Sequence, residues 1–75
     1  MALSLIQLRV FVASARHGSF TAAAKPLHMS QPTVSETIRR VEHEYGTPLF
    51  VRGTRRLILT APGEELLPLA EQTLA

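Results

Sequence analysis

The chain predicts a mainly α fold of three short helices, a β-hairpin and a fourth helix. Apolar residues recur at helical spacing in three blocks, each beginning at a serine and running up to a glycine or a proline. Two apolar runs, 49–51 and 57–59, flank a loop that holds Gly53 and three arginines, which is the pattern of a hairpin. A last apolar segment follows Thr60, a residue type that caps helices.

In the first block Ser4 and Gln7 form a capping-box pair, and Leu3 and Leu8 are placed to close a hydrophobic staple over it. Leu5, Leu8, Phe11, Val12 and Ala15 make one apolar stripe, and Gly18 supplies the stop. Ile6, Val10 and Ala13 run up the opposite side. A helix apolar on two sides is expected to be sandwiched between its own core and another helix.

Ser19 caps a second helix in which Phe20, Ala23, Ala24 and Leu27 recur at i, i+3, i+4 and i+7, and its alanines permit a crossing helix to come close. Pro26 cannot donate to the Ala22 carbonyl, so this helix is expected to end or loosen in its last turn. His28, Met29 and Ser30 then read as a turn. Ser30 is a good N-cap, and Pro32 falls in the first turn of the third helix, where a missing N–H costs nothing. Val34, Ile38, Val41 and Tyr45 share one side of that helix. Pro32, Ser35, Glu36, Arg39, Arg40 and His43 cover the other, and Gly46 ends it.

Two short helices joined by a tight turn, the second with a polar outer face, make a helix-turn-helix pattern. The hairpin behind it, with Arg52, Arg55 and Arg56 at or near its tip, reads as a wing. In the last helix, Glu64 and Glu65 favour the positive N-terminal end. Its apolar residues run to the end of the chain without a C-cap, so the chain is expected to be part of a longer protein. Leu66, Leu67, Leu69, Ala70 and Leu74 spread over an arc of roughly 160°, wider than one contact stripe needs. The excess predicts a partner helix in a two-fold homodimer, with Leu66, Leu67, Ala70 and Leu74 as the dimerisation residues.

Composition narrows the function. A chain of 75 residues is one small domain, burying only about 60% of its unfolded surface, and a partner subunit would help it. It has no cysteine, which removes disulfides, thiolate nucleophiles and cysteine-based zinc sites and fits a reducing compartment, the cytoplasm. The three histidines His17, His28 and His43 lack metal-ligand spacing and there is no aspartate, so neither a metal site nor an enzyme is expected, and no cofactor is needed in this domain. Ala13-Ser14-Ala15 imitates a signal-peptidase site, but the segment has no basic start, and Gln7 and Arg9 interrupt its apolar run. No stretch approaches the length needed to span a bilayer. Residues 1–56 hold all eight Lys/Arg and three Glu, a balance of +5, whereas 57–75 hold three Glu and no base. A basic body on an acidic tail suggests a polyanion-binding surface kept apart from something else.

The stretches "GSFTAAA", "SQPTVS", "GTPLFVR" and "LTAPG" stand in this order along the chain. Together they resemble the N-terminal DNA-binding domain of LysR-type transcriptional regulators, over essentially the whole chain. The resemblance implies a winged helix-turn-helix: a three-helix core and wing in residues 1–60, then the start of a linker and dimerisation helix in 61–75. It also implies a larger C-terminal domain, absent here, that senses a small-molecule effector, and bacterial transcription control at a partly palindromic DNA site. Family base contacts carry onto Gln31, Pro32 and Ser35, and the minor-groove wing contact onto Arg55. The chain departs from the family pattern at Glu36, where a basic or amide side chain is common, and at Pro26 and Tyr45. Pro68 is ordinary for the family.

Physical chemistry supplies the roles. A helix entering the major groove presents its N-terminal residues to base edges. Gln31 can pair bidentately with adenine, Ser35 can donate or accept, and Pro32 or the Thr33 methyl can pack on thymine methyls. Ser30, Arg39 and Arg40 are expected at backbone phosphates. For Arg40 an intrahelical pair with Glu36 is an equal alternative. Glu36 itself either accepts a hydrogen bond from a cytosine amino group or simply pairs with Arg40. Arg55 and Arg56 suit a narrow A·T-rich minor groove, whereas Arg52 is expected to pair with Glu42 or Glu44 in a structural role. The rival reading is a winged-helix module that binds another protein and no nucleic acid; three wing arginines and the +5 body argue against it.

Overall fold

The structure is a computed structural model that describes residues 3–75; the first two residues of the expected 1–60 unit lie outside the described residues. The elements run α1 (Leu5–His17), α2 (Phe20–Leu27), α3 (Gln31–Tyr45), β1 (Phe50–Val51), β2 (Ile58–Leu59) and α4 (Ala61–Leu74). This is the mainly α, winged helix-turn-helix order expected.

Each helix starts where its cap stands. Ser4 accepts from the Gln7 N–H while the Gln7 side chain accepts from the Ser4 N–H, closing the capping box on α1. Ser19, Ser30 and Thr60 accept from the amides of Ala22, Thr33 and Gly63 respectively, which satisfies donors that a helix N-terminus otherwise leaves open. Gly18 and Gly46 end α1 and α3 in the left-handed conformation. The α2 helix stops at Leu27, one residue after Pro26, and His28 takes the left-handed position at φ 55°. The expected proline-induced ending is therefore found.

The centre of the domain is α1, which packs against α2, α3 and α4. Val10, Phe11 and Ser14 are fully buried on it, and Ala24, Val34, Ile38 and Val41 join it from α2 and α3 in the same core. The sandwiched position predicted for this helix is correct, but its stripes are not covered end to end. Leu5 and Ile6 are 59% and 50% exposed, because the helices that enclose the middle of α1 leave its first turn bare.

The hairpin is antiparallel, pairing Phe50 with Leu59 and Val51 with Ile58. It is shorter than the apolar runs suggested, for a physical reason. The Leu49 N–H donates to the Glu42 carboxylate at 2.7 Å, and Leu57 N–H donates to the Gly18 carbonyl at 2.9 Å. Groups spent on α3 and the α1–α2 turn are not free for a ladder. Phe50 seats the hairpin on the helices through ring contacts with Phe11 (5.6 Å, tilted) and Phe20 (5.8 Å, edge-on).

The last helix returns across α1. The Thr60 hydroxyl donates to the Pro48 carbonyl at 2.7 Å, and the Arg16–Glu71 ion pair at 2.8 Å ties the far ends of the two helices. Gly63 lets α4 approach the chain so closely that a β-carbon there would lie 2.3 Å from the Leu49 carbonyl oxygen.

Candidate nucleic-acid interface

The helix α3 divides cleanly by side. Val34, Ile38 and Val41 are fully buried, and Gln31, Pro32, Thr33, Glu36, Arg39, Arg40 and His43 are exposed, with Ser35 half-buried at the margin. The outward direction predicted for the polar face is thus what the structure shows. At its N-terminus the Ser30 hydroxyl accepts from Thr33 N–H at 3.3 Å and donates to the Thr33 hydroxyl at 2.8 Å. The Ser30 proton is therefore committed within the turn. Val34 N–H goes to the Ser30 carbonyl and Pro32 has no N–H, so among the described residues Gln31 carries the open amide of this first turn.

Glu36 and Arg40 lie 3.9 Å apart, both largely exposed. That is a long, solvated i, i+4 pair, which leaves either side chain able to exchange its partner for another. Both also line an open groove of about 500 Å³ between the start of α1 and α3, together with Ile6, Met29, Pro32, Thr33 and Thr37. Arg39 and His43 border a neighbouring hollow on the same helix.

The three wing arginines take three different positions. Arg52 pairs with Glu42 (3.0 Å), as one of its two expected partners, and its guanidinium lies 5.8 Å from the centre of the Phe20 ring. Glu44 instead accepts from the Gln7 side chain at 3.3 Å. Arg56 lays its guanidinium over Gly18, where an added β-carbon would meet Nη2 at 2.7 Å. That is the carbonyl end of α1, a favourable place for a cation. Arg55 is exposed and, among the described residues, is in no ion pair. The turn is braced by the Thr54 hydroxyl donating to the Arg56 carbonyl.

Glu42 has the most constrained carboxylate described. Burial alone would raise its pKa, but hydrogen bonds from Arg52 and from the N–H groups of Leu49 and Phe50, with the Arg52 charge, outweigh that and hold it below the ordinary glutamate value.

The dimerisation residues expected on α4 separate into two groups. Leu66 and Ala70 are 7% and 1% exposed and sit in the chain's own core, so they have no surface to offer a partner. Leu67 and Leu74 are half-buried. Leu69, outside the dimerisation set expected from the sequence, is 57% exposed. With Leu3, Leu8 and Thr73 it borders a shallow groove along α4. The wide apolar arc signalled an excess, but not which residues α1 would consume.

A helix-turn-helix whose second helix shows a polar, partly cationic face, backed by a hairpin wing, is the architecture of DNA-binding winged-helix domains. The family comparison makes this specific: residues 5–64 match the model for bacterial regulatory helix-turn-helix proteins of the LysR family, and the chain belongs to that family. It is similar to the RuBisCO operon transcriptional regulator of Allochromatium vinosum, 52% identical over 66 residues, which cover 88% of this chain and 22% of that one. It is also similar to CfxR, an HTH-type transcriptional regulator of Cupriavidus necator, 47% identical over 97% of this chain and 23% of that one. The chain thus spans about a quarter or less of these relatives. Among solved structures, BenM DBD in complex with benA site 1 DNA superposes with a TM-score of 0.93 at 38% identity, covering 96% of this chain and 81% of that one. The family's named members are transcriptional regulators, not enzymes. No helix among the described residues is long and apolar enough to cross a membrane.

Proposed function

We propose that this chain is the reading head of a bacterial LysR-type regulator, binding double-stranded DNA with α3 in the major groove and the wing in the adjacent minor groove. The observation that carries the reading is the undivided exposed face of α3. Its polar residues carry no part of the core, and its close structural relative was solved on DNA. Gln31, Pro32, Thr33, Ser35 and Glu36 take the base edges, and Arg39 and Arg40 take phosphates. At the helix start the open Gln31 amide suits a phosphate better than the Ser30 hydroxyl, whose proton is already used. In the wing, Arg55 is the minor-groove contact, and Arg56 joins it only by leaving Gly18.

Two copies pair through α4, using the exposed Leu69 with the uncovered parts of Leu67 and Leu74. The effector-sensing domain lies in the rest of a longer, cytoplasmic protein, and the reading domain of residues 1–60 with its 61–75 helix needs no cofactor. Selection of bound sites from random duplex DNA tests the whole reading. It should return a motif with dyad symmetry and half-sites one helical turn or a multiple apart, bound with an affinity that falls steeply with log[salt]. Absent or salt-insensitive binding would instead favour a protein-interaction module.

A further inference from the structure

We infer that Glu42 is a positioning residue for DNA reading: gripping the hairpin from the side of α3, it sets where the wing meets the duplex relative to the recognition helix. This rests on the proposed reading, in which α3 and the wing engage one duplex. One carboxylate oxygen, Oε2, accepts from Leu49 N–H at 2.7 Å, from Phe50 N–H at 3.2 Å and from Arg52 Nη1 at 3.1 Å. The other, Oε1, faces Arg52 Nη2 at 3.0 Å. A single side chain of the recognition helix thus holds both the backbone entering β1 and the first arginine of the wing.

The hairpin needs such a grip because its own ladder is only two residue pairs long, and a two-stranded hairpin has marginal stability by itself. Its outgoing strand is fixed separately, by Leu57 N–H on the Gly18 carbonyl. Glu42 is therefore the attachment that relates the wing to α3, whereas Gly18 relates it to the α1–α2 turn. A carboxylate suits the position because it accepts on both oxygens at once. An amide of the same shape would turn its NH2 toward either the guanidinium or the backbone N–H groups, placing donor against donor.

The test compares the 75-residue chain with Glu42→Gln and Arg52→Met in selection from random duplex DNA, with amide exchange of residues 49–59 measured alongside. Both variants should keep the base preferences read by α3. Both should lose preference at the flanking A·T positions read by the wing by about fivefold or more, the scale of one base contact, with faster exchange in the hairpin. The double variant should be no worse than the worse single one, since both break the same link. Unchanged flank preferences, or an equal loss at every position, would overturn the inference. If Glu42→Gln does not fold, Arg52→Met decides by the same outcomes, because its side chain is exposed enough to replace. Wild-type chain that selects no sequence at all would defeat the DNA reading itself and the inference with it. Wild-type selection with unaltered variants defeats only the role given to Glu42.

Discussion

Gly63→Ala opposes a helix-propensity gain to a backbone collision. Within a helix, alanine is favoured over glycine by about 1 kcal/mol, so an open site would be stabilised. Position 63 is not open. The new β-carbon would stand 2.3 Å from the Leu49 carbonyl oxygen and 2.9 Å from Leu59 Cδ2, and α4 must withdraw by about 1 Å to restore ordinary contact. The Leu49 carbonyl cannot yield easily, since it accepts from Thr60 N–H at 3.0 Å and its own amide is held by Glu42 at 2.7 Å. Withdrawal therefore stretches the Thr60 bond at the cap of α4, a loss of about 1 kcal/mol, and adds an overpacking cost of about 1–3 kcal/mol. The collision outweighs the gain by about 1–3 kcal/mol. For a domain of this size each kcal/mol moves Tm by about 4–8 °C, so thermal melting followed by far-UV circular dichroism should show a drop of about 5–20 °C. A variant that melts at or above the wild type would refute the close approach of α4 to Leu49.

Three further outcomes follow from the same geometry. The Glu42 pKa is lowered in the fold, so its contribution to stability is complete above the ordinary glutamate value, about 4.3, and is lost as pH falls through the folded value; Tm should decline below about pH 4.3, and equal declines for wild type and Glu42→Gln would exclude this source. Arg39→Ala should weaken binding to all duplexes alike and reduce the slope of log K against log[salt] by about 1, the signature of one lost phosphate contact; a change of base preference with the slope intact would reassign Arg39 to base reading. Glu36→Gln or Glu36→Arg should alter preference at a single base position of a site library, and an unaltered library profile would leave Glu36 as the solvated partner of Arg40.

The helices could be read from the sequence because the signals that start and stop them are local. A serine three residues before the amide it caps, or a glycine one residue past the last turn, needs no knowledge of the rest of the fold. What could not be read is how far neighbours extend over each helix. The periodicity of α1 gave Leu5 and Leu8 the same side, yet only Leu8 is covered. On α4 the apolar arc did not say that Leu66 and Ala70 would be taken into the chain's own core, a choice made by how α4 packs on α1. Gly63 brings the start of α4 against Leu49, and the Arg16–Glu71 pair joins α4 to α1 across 55 residues of sequence. The contact of Arg56 with Gly18 is of the same long-range kind.

Glu36 and Glu42, two of the three glutamates of α3, show where local reading ends. Glu36 and Glu42 are six positions apart, which at 100° per residue turns them about 240° around the helix, so sequence alone says they cannot share a face. It says nothing about which face meets a hairpin that begins eight residues after Glu42. In the fold Glu42 is half-buried beneath that hairpin, and Glu36 stays in solvent beside Arg40. Identical side chains on one helix thus differ in what a substitution removes. At 36 the loss falls on a weak, exposed pair, and any effect on DNA must be direct. At 42 the loss leaves two backbone donors and a guanidinium without their acceptor, and the effect reaches DNA through the wing.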